Sequence, residues 1–236
     1  MERIKIKISN QPFRVTEIYR MLRTNIEFTG IENKSIVLTS CTPGDGKSSV
    51  SFQLAYSLSQ SGKRVLFIDA DIRKSRLSQA LGIRDGLLGL SHYLAGRNEL
   101  RDCIYATNIN SLFFIPTGVF PSIPTELLGN QRFEDLLTEL KPRFDYIIID
   151  SPPIGSVIDA AVIAKRCDAS ILVVSSNRNS RRLEQRAIEQ LRLANPNILG
   201  VVLNRVDRSY TNYYNKYYGE YQIDPAKHTK ERVFAR

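Results

Sequence analysis

Residues Ser40–Ser49 read S-C-T-P-G-D-G-K-S-S and decide the fold of this chain. The stretch follows an apolar run at 36–38 and opens a segment with apolar residues at helical spacing (Val50, Leu54, Leu58). A strand, a glycine-rich turn and a helix in this order form the context of a phosphate-binding loop. We therefore predict a nucleotide site that includes Gly44, Asp45, Gly46, Lys47, Ser48 and Ser49.

Each residue type in this loop suits the chemistry of bound phosphate. Backbone N–H groups around 44–46 would point inward, and the helix N-terminus adds partial positive charge. Lys47 would reach the β- and γ-phosphates, while the Ser48 hydroxyl would ligate Mg²⁺. The match to G-x-x-x-x-G-K-[ST] is incomplete, because Cys41 stands where the first glycine belongs. A glycine-rich turn before an ordinary helix is the alternative interpretation.

Composition limits the class of protein. The 236 residues, 42% of them hydrophobic, suffice for one α/β domain or two small ones. No run approaches the roughly 18 apolar residues of a membrane span, and the start, M-E-R-I-K, lacks the apolar region of a signal peptide. Three cysteines without C-x-x-C spacing favour a reducing cytoplasm. The formal net charge of +9 permits an anionic partner without identifying it.

The N-terminal residues predict a strand and then a helix. Isoleucines at 4, 6 and 8 alternate with lysines, which is typical of a short edge strand. Thr16 could cap a helix over about 15–28, whose apolar face includes Ile18 and Ile26. The other faces of this helix carry Glu17, Arg20 and Arg23. From the residues alone, a solvated charged surface is the favoured interpretation of these three.

Acidic residues follow two predicted buried strands. Val65–Ile68 leads into Asp69 and Asp71, which lie two apart and would face the same side of an extended backbone. Acids at the carboxyl ends of parallel strands lie at the ligand edge of a doubly wound sheet. These two are candidates for Mg²⁺ binding, for accepting a proton, or for capping the next turn. Tyr146–Asp150 has the form of a Walker B strand, whose terminal acid can hold Mg²⁺ through water.

Strands and helices alternate through the rest of the chain. Runs at 112–115, 171–174 and 199–203 predict further core strands, with helices at about 125–140 and 180–194. The last helix carries four arginines (181, 182, 186 and 192), which we interpret as a basic surface. This alternation predicts an α/β fold with a doubly wound, mainly parallel sheet covered on both faces. We expect one P-loop domain over 1–206 and a C-terminal tail over 207–236.

The tail contains a cluster of tyrosines. Residues 209–221 read S-Y-T-N-Y-Y-N-K-Y-Y-G-E-Y and hold six of the eleven tyrosines of the chain. Their spacing fits neither one helix face nor one strand face, so this segment is predicted to be mobile. A low-complexity adhesive segment and a segment that docks onto its own domain are the alternatives. The six tyrosines are Tyr210, Tyr213, Tyr214, Tyr217, Tyr218 and Tyr221.

Taken together, these motifs resemble the bacterial tyrosine kinases of capsule and exopolysaccharide synthesis. The resemblance covers about 15–221. It rests on R-x-L-R-T-N at 20–25, the loop at 40–49, and F-I-D-A-D-I-R at 67–73. The proline segment before E-L-L at 126–128, I-I-I-D-S-P-P at 147–153 and the tyrosine cluster complete it. The ordered set is far more specific than any single motif.

The resemblance implies an activity and its partners. It implies a P-loop kinase that uses ATP and Mg²⁺ and phosphorylates its own C-terminal tyrosine cluster. It also implies ring-like homo-oligomers, with Glu17, Arg20 and Arg23 at the interface and the tail of one subunit in the site of a neighbour. Without membrane spans, the chain resembles the split cytoplasmic form. That form is recruited to the inner face of the membrane by a separate transmembrane adaptor with an activating cytoplasmic tail. The resemblance further implies a cognate tyrosine phosphatase. We expect no nucleic-acid partner, because nothing around the arginines at 181–192 marks specific base readout.

Phosphoryl-transfer chemistry suggests a role for each site residue. Lys47 would neutralise phosphate charge, while Ser48 and Asp150 would place the metal. Tyrosine has a pKa near ~10, so a carboxylate that accepts its proton helps. Asp69 is the candidate base and Asp71 would support the metal shell, although the two roles could be exchanged. The resemblance places Asn204 where relatives contact adenine.

The chain departs from the family pattern at two places. The family motif P-P-N-P appears as P-S-I-P at 121–124, which leaves no asparagine for that loop. The tail continues for fifteen residues beyond Tyr221. The main alternative function is that of a partition or division-site ATPase, a nucleotide-dependent binding switch with the same loop. Such ATPases usually carry an early lysine where this chain has Thr42, and the tyrosine cluster favours the kinase.

Overall fold

The computed structural model describes residues 2–8, 11–176, 178–195 and 197–206. The described residues form one eight-stranded sheet with helices on both faces. The strands are β1 (Arg3–Ile4), β2 (Ser35–Ser40), β3 (Val65–Asp69), β4 (Tyr105–Thr107), β5 (Leu112–Ile115), β6 (Tyr146–Asp150), β7 (Ala169–Ser175) and β8 (Ile198–Asn204). The helices are α1 (Phe13–Glu27), α2 (Lys47–Gln60), α3 (Leu77–Ala80), α4 (Leu90–Leu94), α5 (Leu100–Cys103), α6 (Pro124–Gly129), α7 (Gln131–Leu140), α8 (Asp159–Ala164) and α9 (Arg181–Ala194).

The sheet is parallel except at one pair of strands. Its order is β1-β4-β5-β3-β6-β2-β7-β8, and only β4 and β5 pair antiparallel within the described chain. The strands β2, β3, β6 and β7 are buried along their whole length, as expected for β-branched and leucine-rich strands covered on both faces. The predicted doubly wound, mainly parallel fold is therefore confirmed.

Two hydrophobic cores lie on opposite faces of the sheet. One contains side chains of α1, α2 and α3, among them Ile26, Leu54 and Leu77. The other contains side chains of the helices from α4 to α9, including Phe133 and Leu191. The parallel strands β3, β6 and β2 all end at the same edge of the sheet, between these cores. Asp69 and Asp150, the last residues of β3 and β6, therefore meet at this edge.

Three predicted elements differ from those observed. The helix expected over 125–140 is two helices, because the Asn130 side chain accepts a hydrogen bond from Phe133 N and starts α7 anew. The helix expected from Thr16 begins at Phe13 after Pro12. The last predicted core strand, β8, lies at the edge of the sheet, and the side chains of Val201 and Leu203 are more than half exposed.

The tail cannot be compared with its prediction. Tyr210, Tyr213, Tyr214, Tyr217, Tyr218 and Tyr221 lie outside the described residues, so their role stays a prediction. Among the described helices, none is both long and apolar enough to cross a membrane.

Candidate active site

The loop between β2 and α2 has the backbone of a phosphate-binding loop. Gly44 and Gly46 both have left-handed φ angles, of 87° and 89°, which favour glycine. A Cβ at Gly46 would lie 2.1 Å from Asn204 Nδ2, so a side chain there would displace the amide that donates to the Asp45 carbonyl. The helix α2 begins directly at Lys47, and its free N–H groups therefore face the loop.

The side chain of Asp45 shapes the loop from within. Its carboxylate is fully buried and accepts hydrogen bonds from Thr42 N at 2.8 Å and from Thr42 Oγ1 at 3.0 Å. Asn179, after β7, donates to the same carboxylate at 3.1 Å and 3.2 Å. Asn204 Nδ2 donates to the Asp45 carbonyl at 2.9 Å. The Asp45 side chain therefore holds the loop in shape, and only its main chain is left for a nucleotide.

Lys47 forms a buried ion pair with Asp150. Lys47 Nζ lies 2.7 Å from Asp150 Oδ1 and 3.1 Å from Ser48 Oγ. The lysine is only 6% exposed and the aspartate is fully buried. The Ser51 hydroxyl, one turn after Lys47, lies 2.9 Å from Asp150 Oδ1 and 2.9 Å from the Lys47 carbonyl oxygen. The charge of Asp150 is thus matched on one oxygen only.

The second oxygen of Asp150 fits a magnesium site. Oδ2 is buried and has no hydrogen-bond partner among the described residues, which is costly unless a cation or water binds it. No three His, Cys, Asp or Glu side chains of the described chain come close enough to hold a metal alone. Mg²⁺ usually takes one or two carboxylates together with phosphates and water. The pair of Asp150 and Ser48 therefore fits Mg²⁺ that arrives with a nucleotide.

Asp69 lies beside Asp150 at the ends of adjacent strands. The two residues are register partners in β3 and β6, and Asp69 is fully buried. Burial, and after it the charge of Asp150, raises the pKa of Asp69 to about 8. Ser75 Oγ lies 2.5 Å from Asp69 Oδ2, and the Asp71 N–H donates to Asp69 Oδ1 at 3.3 Å. The carboxyl group is thus held in one orientation.

Asp71 is half-buried, at the mouth of the same site. Burial raises its pKa, while the charge of Lys47 acts in the opposite direction. Two residues on, Arg73 leaves the site and binds the fully buried Asp159 with Nε–Oδ2 and Nη2–Oδ1 distances of 2.6 Å and 3.0 Å. Thr125 Oγ1 donates to Asp159 at 2.7 Å, so the loop after β3 is tied to the starts of α6 and α8.

The structure gathers most of the predicted site residues and separates two groups from them. Ser49 is exposed in the first turn of α2. Glu17, Arg20 and Arg23 lie on α1, where Glu17 and Arg20 form an ion pair and Arg23 donates to the Ser57 carbonyl of α2 at 3.0 Å. The residues alone had suggested a wholly solvated charged face on α1. The Arg23 contact shows that part of this face instead packs against α2.

Sequence patterns did not identify four residues that support the site. They are Ser51, Ser75, Asn179 and Asp159. Ser51 follows Lys47 by four positions on α2, so helical spacing would have placed the two on one face. Ser75 follows the last strand residue by six positions, and Asn179 and Asp159 come from other loops. Nothing in the local sequence connects these three to the phosphate loop.

The AAA domain family matches residues 33–193, which is most of the described sheet and its helices. The chain is thus a nucleotide-binding protein of the P-loop class. It belongs to the bacterial tyrosine kinases and is a protein-tyrosine kinase. Relatives with that name are 34–42% identical to it, and the matches cover 88–96% of their length.

The individual relatives agree on this family. Tyrosine-protein kinase CpsD of Streptococcus agalactiae is 42% identical over 223 residues, 94% of this chain and 96% of that protein. Tyrosine-protein kinase YwqD of Bacillus subtilis is 34% identical over 221 residues, 93% and 92% of the two chains. The kinase domain of the Escherichia coli tyrosine kinase ETK superposes with a TM-score of 0.78 at 34% identity, covering 86% and 84%.

A second group of structures shares the fold. The septum site-determining protein MinD of Pyrococcus horikoshii, complexed with Mg-ADP, superposes with a TM-score of 0.64 at 28% identity, covering 74% of this chain and 71% of that one. The ETK kinase domain is therefore more similar to this chain than MinD is, in TM-score, in sequence identity and in coverage.

Proposed function

We propose that the chain transfers the γ-phosphoryl group of ATP, bound with Mg²⁺, to tyrosines of the C-terminal cluster at 210–221. The observation that carries this proposal is the buried ion pair of Lys47 and Asp150, with the carboxyl group of Asp69 beside it. It combines a cation for phosphate, an oxygen for a metal and a candidate proton acceptor within one edge of the sheet.

Nucleotide binding would redistribute the partners of Lys47. Its ammonium group is held by Asp150, and the incoming β- and γ-phosphates offer it stronger negative charge. If Lys47 turns towards phosphate, Asp150 Oδ1 would keep the Ser51 hydroxyl, and the carboxylate would be free to hold a metal ion. Bound Mg²⁺ supplies neutralisation of the charge that develops on the phosphate oxygens. Ser48, Asp150 and, through water, Asp71 would hold it.

Asp69 is the proposed acceptor of the phenol proton. A general base acts best when its pKa lies near the working pH, and burial has moved the pKa of this carboxyl in that direction. The tyrosine hydroxyl, with a pKa near ~10, would donate to Asp69 while its oxygen faces the γ-phosphate. Ser75 and the Asp71 N–H keep the carboxyl group in place for this contact.

Transfer between subunits of a homo-oligomer is the proposed arrangement. Support comes from α1, whose Glu17 and Arg20 are partly exposed and whose Phe13, Ile18 and Met21 are more than half exposed. The family resemblance adds the role of this helix as an interface, together with a separate transmembrane adaptor. That adaptor would recruit the chain to the inner face of the membrane, and a cognate phosphatase would reverse the modification. The process served is capsule or exopolysaccharide synthesis and export.

The alternative function is a nucleotide-dependent switch of the partition or division-site type. The similarity to MinD favours it. The loop position at which such ATPases usually carry a lysine is Thr42 here, and its side chain is bound to Asp45 and Asn179. A pure switch would hydrolyse ATP without forming phosphotyrosine, so the product separates the two functions.

Transfer between subunits can be tested with two chains of different length. An inactive Lys47→Met chain with its complete tail is mixed with an active chain that ends at 206, in the presence of ATP and Mg²⁺. The proposal predicts phosphotyrosine on the tail of the inactive chain. If the chains co-assemble and that tail stays unmodified, while the intact wild-type chain modifies itself, transfer occurs within a subunit. A Lys63→Met chain, altered at a lysine outside the phosphate-binding loop, is the control and should remain active.

A further inference from the structure

An apolar surface lies beside the proposed transfer site and has no role so far. Four large hydrophobic side chains, each more than half exposed, come from two loops: Val119, Phe120, Ile123 and Ile158. We call these residues the α6–α8 surface, because Ile123 directly precedes α6 and Ile158 directly precedes α8. Clusters of this kind on a folded domain commonly mark a binding surface.

The two loops are joined at this surface. Thr125 at the start of α6 donates to Asp159 at the start of α8, with an oxygen–oxygen distance of 2.7 Å. Arg166, after α8, donates to the Gly129 carbonyl at the end of α6, so the two helices run side by side in the same direction. Ile123 and Ile158 therefore project from neighbouring helix starts, and the fold holds them in fixed positions.

The surface is connected directly to the site. Arg73 binds both Thr125 and Asp159, at 2.9 Å and 2.6 Å, and follows Asp71 by two residues. A peptide that presents a side chain to Asp69 and Asp71 must place its neighbouring residues within a few residue lengths of Arg73. Ile123 and Ile158, at the starts of α6 and α8, lie next to that position, and Val119 and Phe120 precede Ile123 in the same loop.

The composition of the tyrosine cluster suits this surface. Both loops, 118–124 and 152–158, are free of charged residues. Residues 209–221 contain one lysine and one glutamate, so that segment is also neutral, whereas the whole chain carries +9. Its tyrosines occur in pairs at 213–214 and 217–218. Whenever one tyrosine of a pair enters the site, another aromatic ring stands beside it and can cover apolar surface.

We propose that the α6–α8 surface is the docking site for the tyrosine-rich segment 209–221 of a second copy of this chain. This inference rests on the proposed kinase function and adds how the acceptor is held. Apolar contacts with neighbouring rings bring each tyrosine to the site without recognition of a fixed sequence. Phosphate on those rings adds about −1.5 to −2 charge each, which an uncharged apolar surface disfavours, so modified segments leave.

Kinetics with separate donor and acceptor chains test the proposal. The acceptor is the full Lys47→Met chain at increasing concentration, and the donors are wild type, Phe120→Ser, Ile158→Ser and the double variant. Docking predicts that the acceptor concentration for half-maximal rate rises ~5–10-fold in the double variant. The affinity for ATP and the oligomer mass by light scattering should match wild type. Leu193→Ser, at an 89% exposed leucine of α9, is the matched control and should behave as wild type.

Each other outcome overturns the proposal in a distinguishable way. Unchanged acceptor dependence in all surface variants shows that the segment docks elsewhere. A lower oligomer mass in Phe120→Ser or Ile158→Ser shows that the surface is a contact between folded domains. If the wild-type donor forms no phosphotyrosine on any chain, the proposed function fails together with the docking; if it modifies only itself, transfer between subunits fails.

Discussion

Asp69 and Asp150 are register partners at the ends of adjacent parallel strands, and both side chains are fully buried. Two carboxylates this close repel each other unless a cation or a proton intervenes. Lys47 lies 2.7 Å from Asp150, so the cation is at Asp150. The proton is therefore retained by Asp69, whose raised pKa reflects burial and the charge of its neighbour. In the nucleotide-free chain Asp69 is therefore protonated, and it can act as a base only after it releases that proton. A cation bound at Asp150 would favour the release, because a nearby positive charge lowers the pKa of a carboxyl group.

Asp69→Asn should decrease turnover while increasing stability. The folded chain keeps the Asp69 proton up to about pH 8, whereas the unfolded chain releases it near 3.8. Because the folded state binds more protons between these values, the wild-type free energy of unfolding falls as pH rises through that range. Asn removes this loss, so nucleotide-free Asp69→Asn should melt at a higher temperature than wild type at pH 8 and similarly at pH 4.

The kinetic part of this prediction separates the two roles discussed for Asp69. As a base, its loss depresses kcat far more than ATP affinity. Asp71→Asn, at the half-buried acid of the same segment, is the matched variant and should mainly weaken the Mg²⁺ dependence of the rate. Equal loss of ATP binding and turnover in Asp69→Asn would make Asp69 chiefly a metal ligand.

Lys47→Met should abolish transfer and also destabilise the fold. Removing the lysine leaves the buried Asp150 without its counter-charge, which costs on the order of 3–5 kcal/mol when one partner of a buried pair is removed. Adding Asp150→Asn should restore most of that stability, because no buried charge remains, but no activity. Urea unfolding of the single and double variants measures this, and a double variant less stable than Lys47→Met would contradict the buried-charge account.

Ser51→Ala should impair metal-dependent turnover. The variant removes the hydroxyl that lies 2.9 Å from Asp150 Oδ1, and a lost hydrogen bond to a charged group is worth about 1.5–3 kcal/mol. We expect the Mg²⁺ concentration for half-maximal rate to rise by roughly tenfold. Ser59→Ala is the control, since its hydroxyl bonds the Tyr56 carbonyl within the same helix. Ser51→Thr should retain most of the activity, and equal effects of both alanine variants would exclude a positioning role for Ser51.

Asp168→Asn should destabilise the protein in a pH-dependent manner. Burial acts to raise the pKa of Asp168, but hydrogen bonds from Lys141 Nζ at 2.5 Å and from Ser35 outweigh it, and the pKa falls below 3.8. A lowered pKa stabilises the folded state above the unfolded value and loses that effect as pH falls through the folded one. The loss should be on the order of 2 kcal/mol at pH 7 and shrink below about pH 4.

The measurement for Asp168 is the free energy of unfolding across this range. Asp85→Asn, at an exposed aspartate, is the control and should change little. A constant difference between Asp168→Asn and wild type from pH 7 to pH 3 would contradict the ion-pair account.

Much of the fold follows from local sequence, and the exceptions have physical reasons. The buried strands β2, β3 and β6 are largely apolar runs. The loop after β2 reads P-G-D-G-K-S at 43–48, a pattern typical of phosphate-binding loops. The edge position of β8 was not predictable, because its apolar run resembles that of a core strand and only the strand order exposes it. The break at Asn130 depends on one side-chain cap within a helical pattern.

The sequence predicted the central residues of the candidate site but not the residues that support them. Lys47, Asp69 and Asp150 belong to motifs with fixed local spacing, so the sequence identifies them. Their supporting hydrogen bonds come from Ser51, Ser75 and Asn179, which meet them only through the tertiary fold. The residues that carry the chemistry can therefore be identified from the sequence, whereas the residues that position them by hydrogen bonds require the tertiary structure.

Mapping phosphate onto individual residues tests whether the chain phosphorylates its own tyrosine cluster. The purified chain is incubated with ATP and Mg²⁺, with and without the cytoplasmic tail of the proposed adaptor, and modified residues are located by mass spectrometry. Lys47→Met serves as the inactive control. We expect phosphotyrosine within 210–221 in the wild type and none in the control. Phosphate only on serine or threonine, or ATP hydrolysis with no phosphorylated residue under either condition, would contradict it.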